Sequence, residues 1–130
     1  MPVIARVLLL SRDETHNNMS TEKIHLGRSN KIRRQLYRAP GVLMGDLSAI
    51  TRAVLVLSNT SGDIVIDSDV TATVFNWSIG NSIIEIKLGF VNGLTAGAQY
   101  YCHLILFDAT DNPDGAEFKP FRAVAVRDKV

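Results

Sequence analysis

The chain has 130 residues, 46% of them hydrophobic and 21% charged, with 14 Lys and Arg against 13 Asp and Glu for a net charge of +1. That is the length of one domain able to bury a core without disulfide or metal support, and the near-neutral balance excludes a chain that holds nucleic acid by overall charge. No apolar run approaches the roughly 18 residues that read as a membrane-crossing helix.

The first ten residues, Met1 to Leu10, are apolar. They lack a basic leading segment and are interrupted by Arg6, so they read as a strand and not as a secretory signal. The single cysteine, Cys102, cannot close an internal disulfide and sits among core-type residues, which agrees with a reducing compartment. Charge is unevenly spread: residues 1–40 carry eight Lys and Arg against three Asp and Glu, and residues 41–130 carry six against ten, giving +5 and −4. Such a split either stabilises the domain internally or lets a basic arm on one copy meet an acidic surface on another.

Residues 11–40 hold no clear strand pattern. Ser11 to Ser20 is polar, and Ser29-Asn30 reads as the cap of a short helix carrying Ile32 and Leu36 and stopped by Pro40-Gly41. The same segment reads equally as an extended arm that orders only against a partner. Its Arg28, Lys31, Arg33, Arg34 and Arg38 are the candidate partner-binding residues.

From residue 41 onward, alternation of apolar and polar residues between Gly, Asn and Asp clusters predicts an all-β domain. Thr51 to Leu57 and Asp63 to Ser68 are β-branched runs joined by Ser58-Asn59-Thr60-Ser61-Gly62, which predicts a hairpin. Thr71 to Trp77 follows as a strand with Thr71, Thr73, Phe75 and Trp77 on one face, and residues 79–82 turn the chain. In Ile83 to Leu88, Ile84, Ile86 and Leu88 are expected to face the core while Glu85 and Lys87 face water. Tyr100 to Phe107 is apolar on both faces apart from His103, the pattern of a central strand. Asp108 to Gly115 is a loop by composition, and Phe121 to Val126 is the closing strand, with Pro120 just before it where a missing N–H is tolerated.

The stretch Val91 to Phe107 carries the strongest fold signal. Tyr100 lies three residues after Gly97, at the mouth of a long strand, with Leu94 upstream; this is the arrangement of a tyrosine corner, in which the phenol bonds back to upstream backbone.

Reactive groups are sparse. His16, His25 and His103 are far apart and lie in no pattern with metal-ligand spacing. Cys102 and His103 are neighbours on a strand and so point to opposite faces, a poor geometry for a nucleophile and its base. Asp108, Asp111, Asn112 and Asp114 offer oxygen ligands of the kind calcium takes, without EF-hand spacing; bonding to their own turns is the simpler account. Asp63, Asp67 and Asp69 read as a solvated edge that discourages stray pairing. Arg28 to Arg38, with Tyr37 for stacking, is the one nucleic-acid-like footprint, and no recognition motif accompanies it. Neither catalysis nor a cofactor nor a metal is expected.

From Val91 to Leu104 the chain resembles the fibronectin type III pattern, through Leu94, Gly97 and Tyr100. Over residues 41–126 it also resembles immunoglobulin-like domains of tailed-phage virion proteins, such as the N-terminal domains of baseplate upper proteins. The residues that carry this likeness are Asp67-Ser68, Phe75-Asn76-Trp77, Gly97 to Tyr100, and Asp111-Asn112-Pro113-Asp114-Gly115.

The resemblance implies an immunoglobulin-like antiparallel β-sandwich of about seven to eight strands. It implies a non-enzymatic assembly role in the tail, baseplate or head–tail region of a phage or prophage, in a protein assembled in the bacterial cytoplasm. The expected organisation is one domain over residues 1–130, with an N-terminal strand and basic arm in 1–40 and the core in 41–130. Expected partners are other virion proteins or copies of itself, with a homo-oligomer the usual outcome. The alternative from the residues is a carbohydrate- or ligand-binding accessory module, favoured if Trp77, Tyr37 and Tyr101 form a surface platform.

Overall fold

The computed structural model describes residues 21–29, 31–110, 112–118 and 120–127. The expected strand in Met1 to Leu10, and Ser11 to Ser20, His16, Asn30 and Asp111, lie outside these residues.

The fold is all-β, and among the described residues there is no α-helix. The described residues form eleven strands, in order β1 (Thr21–His25), β2 (Lys31–Gln35), β3 (Tyr37–Ala39), β4 (Val42–Leu43), β5 (Ile50–Asn59), β6 (Gly62–Asp67), β7 (Phe75–Asn76), β8 (Ile83–Lys87), β9 (Gln99–Asp108), β10 (Asn112–Glu117) and β11 (Phe121–Val126). The larger sheet has the order β1-β11-β9-β5-β6, with β10 also paired to β9, and the smaller sheet is β2-β8-β7; β3 and β4 form a separate hairpin. All pairings are antiparallel except that of β1 with β11.

Both sheets contribute to one core. Leu55 and Leu57 of β5, Leu104 and Leu106 of β9, Ile84 and Ile86 of β8, and Leu88 just beyond it are all at most 2% exposed and belong to a single apolar cluster. Each such side chain contributes roughly 1.5–3 kcal/mol when removed from water. The inward side chains of β9 alternate with outward ones, which fixes register, since a slip of one residue would turn the whole set outward.

Two glycines allow close or left-handed backbone. The Arg28 carbonyl oxygen lies over the α-carbon of Gly89, so close that an added Cβ would stand 1.8 Å from it. Gly97 has φ +87 and donates its N–H to the Ala125 carbonyl at 2.7 Å, which ties the turn before β9 to β11.

Four expectations are corrected. The helix expected after Ser29-Asn30 is strand β2, paired residue by residue with β8 from Lys31 opposite Lys87 to Gln35 opposite Ile83. Ile32 and Arg34 point inward and Lys31 and Arg33 outward, a period of two, so the segment orders on the chain's own β8 and not only against a partner. The strand expected over Thr71 to Trp77 shrinks to β7, preceded by a 3₁₀ turn at Ala72–Val74. Val74, in the 3₁₀ turn, and Phe75, paired with Ile86 of β8, are both buried.

Glu85, expected to face water, is 7% exposed, covered by Arg33 at 2.8 Å and Lys31 at 3.7 Å. The expected loop over Asp108 to Gly115 is in part strand β10, which pairs with β9 through a shifted register between Asn112 and Ala116. A bulge lets a turn-rich sequence remain in the ladder.

Candidate functional site

The basic segment does not form a free patch. Arg34 points into the interior, is 7% exposed, bonds Glu22 at 2.9 Å and stacks over the Phe121 ring at 4.6 Å from its centroid. Glu22 sits on β1 of the larger sheet and Arg34 on β2 of the smaller one, so the pair joins the two sheets. This corrects Arg34 as a partner-binding residue, because a guanidinium committed inside the fold cannot meet an outside surface. Arg33 and Lys31 are engaged with Glu85 on the outer face of the smaller sheet. Arg28 and Arg38 are exposed.

On β9 of the larger sheet, Tyr100 is buried, and its phenol oxygen accepts a hydrogen bond from the Thr95 N–H at 2.9 Å. Leu94 packs against the core, and Gly97 sets the turn between them. These three residues form a structural corner.

The outward face of the larger sheet is the most distinctive surface. Register places Asp63, Ser58, Tyr101, Arg122 and Thr21 in one row across β6, β5, β9, β11 and β1. The neighbouring row holds Val65, Val56 and His103, and the next holds Asp67, Val54, Ile105 and Glu117. Val65 is 63% exposed and Tyr101 44%, while Val56, His103 and Ile105 are half-buried. An apolar and aromatic strip thus crosses the middle of the sheet, with carboxylates along β6 and a guanidinium on β11.

Arg52 holds Asp67 with a bond of 3.0 Å from Nε, keeping that carboxyl below its ordinary range, helped by the Asp69 N–H. The outward valine had a signal in the sequence: Ile64-Val65-Ile66 is unbroken where a half-buried edge strand should alternate.

A concavity of about 630 Å³ lies between the 43–48 and 77–82 segments, lined by Leu43, Asp46, Leu47, Trp77, Ser78 and Asn81 among others. Buried Ser82 closes its floor, accepting the Gly45 N–H at 2.7 Å and donating to the Gly45 carbonyl at 3.0 Å. The N–H and the hydroxyl of Ser48 both donate to the Asp46 carboxylate and hold its pKa below the ordinary value. Trp77 is half-buried against the core and Tyr37 donates its hydroxyl to Gln35, while Tyr101 lies on the outer face of the larger sheet.

The groups with catalytic or ligand potential are dispersed. Cys102 is fully buried, and burial pushes its thiol up to about 12, far from a reactive thiolate. His103 faces outward, 3.4 Å from Glu117. Among the described residues no three His, Cys, Asp or Glu side chains are placed to hold a metal ion. Asp108 and Asn112 face each other across the β9–β10 pairing, while Asp63 and Asp67 lie on the outward face of β6. No helix among the described residues is long and apolar enough to cross a membrane. No protein-family model, curated protein or solved structure matches the chain.

Proposed function

We propose that this chain is a non-enzymatic assembly domain, an immunoglobulin-like β-sandwich that works through protein–protein contacts in the virion of a tailed phage or prophage. The observation that carries the contact role is the outward face of the larger sheet, where Val65 at 63% and Tyr101 at 44% exposure flank half-buried Val56, His103 and Ile105. Apolar side chains concentrated on one sheet face are costly in water and are the usual centre of a protein interface, with charges at the rim. The sandwich reading is supported by the strand order, in which the five-strand row and the β2-β8-β7 sheet share a core and a buried tyrosine pins the turn before β9. The phage assignment rests on the sequence likeness, and places assembly in the bacterial cytoplasm.

Purified particles from the source bacterium, analysed by mass spectrometry, test this reading. The chain is expected at stoichiometric levels in the particles, and a Val65→Asp variant that keeps its circular dichroism spectrum is expected to be lost from them. Wild-type chain found only in the soluble lysate would overturn it.

A second reading, a carbohydrate-binding module, is favoured by the Trp77-lined concavity alone. Trp77 is the only tryptophan in the chain, so its fluorescence reports directly on that site. A titration with soluble oligosaccharides that leaves the emission unchanged would remove this reading.

A further inference from the structure

We propose that the outward face of the larger sheet binds a second copy of this chain across a two-fold axis that runs parallel to the strands, between β5 and β9. The inference rests on the reading of that face as a contact surface and names its occupant.

The charge pattern selects the partner. In the row Asp63–Ser58–Tyr101–Arg122, the acid and the base stand three strands apart, about 14 Å at ordinary strand spacing. Neither forms an ion pair among the described residues; Arg122 only approaches the Tyr101 ring, 6.0 Å from its centroid. An axis parallel to the strands and midway between β5 and β9 exchanges β6 with β11. It therefore sets Asp63 of one copy opposite the partner's Arg122, and the same pair recurs on the other side of the axis. Ser58 then faces the partner's Tyr101, Val56 the partner's His103 and Val54 the partner's Ile105.

A two-fold axis across the strands, centred on the Val65 row, instead sets β6 over the partner's β6, with Asp63 opposite the partner's Asp67 and Arg122 opposite the partner's Glu117. There an Asp63→Arg change would replace a like-charge contact with an attractive one, so tighter association of that variant would overturn the strand-parallel axis. In the strand-parallel arrangement, Glu117 comes opposite the partner's Asp67, which Arg52 already matches. Two twisted sheets stack in this way about 10 Å apart with strands within about 30° of one another. The surface is self-complementary, as an isologous contact requires.

Sedimentation velocity on the whole chain tests the proposal, over protein concentrations from about 5 to 500 µM. A concentration-dependent shift from monomer to dimer mass is expected. Asp63→Arg and Arg122→Asp, taken singly, each place like charges together twice per dimer and should raise the dissociation constant on the order of tenfold or more. The double exchange Asp63→Arg with Arg122→Asp re-forms both pairs and should recover most of the wild-type affinity. Recovery in the double variant also separates a lost contact from a lost fold.

Monomer mass for wild type throughout the range would overturn the two-fold proposal, as would a dimer indifferent to both single reversals. If Val65→Asp still removed the chain from purified particles under that outcome, the face would remain a contact surface for a different protein, so the two readings fail separately.

Discussion

The Tyr100 hydroxyl oxygen accepts the Thr95 N–H at 2.9 Å from inside the fold, and this one bond fastens the turn at residues 94–98 to the strand that follows it. Gly97 completes the fastening by donating to the Ala125 carbonyl, so the same turn is held by both β9 and β11.

Tyr100→Phe keeps the buried ring and deletes only the acceptor. It should lower the unfolding free energy by about 1–1.5 kcal/mol, whereas Tyr100→Ala, which also leaves a cavity, should cost about 3–5 kcal/mol. Urea denaturation with an unchanged slope checks both values. Equal stability of Tyr100→Phe and wild type would mean that the bond contributes nothing net.

The Arg34–Glu22 pair gives a second expectation. Arg34 is the more buried partner, at 7% against 30% side-chain exposure for Glu22. Glu22→Gln takes the ion pair from an interior guanidinium and Arg34→Met removes the guanidinium itself; each should cost about 1.5–3 kcal/mol. The double variant Arg34→Met with Glu22→Met should lie close to wild type, because two desolvated charges are replaced by apolar bulk. A thermodynamic cycle over these variants measures the coupling, and additive losses would show that the two residues act independently.

Cys102 predicts a base-labile fold. Burial raises its thiol from an ordinary value of 9.0 to about 12. Between those values the unfolded chain has lost the proton while the folded chain keeps it, so fewer protons are bound in the unfolded state and stability falls as pH rises. The contribution is fully present below pH 9.0 and is lost towards about pH 12; its slope is at most about 1.4 kcal/mol per pH unit. Comparing wild type with Cys102→Ala across this range isolates the thiol from lysine and tyrosine titration. In the native state at pH 8 a disulfide reagent should label Cys102 only at the rate of unfolding, and rapid stoichiometric labelling would contradict the burial.

Ser82 carries the fourth expectation. It lies in the turn from Gly80 to Ile83, where Asn81 and Ser82 have φ of 57 and 58, the positive pair that a type I′ turn uses. Glycine would adopt this conformation more easily, yet the serine hydroxyl clamps both the N–H and the carbonyl of Gly45. Ser82→Ala should lose about 1–2 kcal/mol through the broken bonds. Ser82→Gly loses the same bonds but relieves roughly 1 kcal/mol of left-handed strain, so it should fall between alanine and wild type. Chemical denaturation of the three proteins gives the order, and alanine at or above glycine would refute it.

Much of the architecture is legible in the sequence. The alternation in residues 83–88 and 100–107, and the turn residues between Leu57 and Asp63, set strands and their inward faces because side-chain direction in a strand depends only on local parity. The placement of Ile84, Ile86, Leu88, Leu104 and Leu106 in the core follows from that parity. Residues 31–36 were not legible in the same way, since Ile32 and Leu36 four apart suit a helix turn as well as a strand. Pairing with β8, about fifty residues away, decided between them.

By itself the sequence determined that this is a β protein, which positions turn inward, and that no compact set of reactive groups lies close together along the chain. Tertiary structure alone decided that Arg34 is an internal tie to Glu22, that Glu85 lies beneath Arg33 and Lys31, and that Asp63, Tyr101 and Arg122 share one row of one face. The reason is physical: parity along a strand is local, whereas the charge a side chain meets depends on which strand lies beside it, and that is fixed only when distant segments pair.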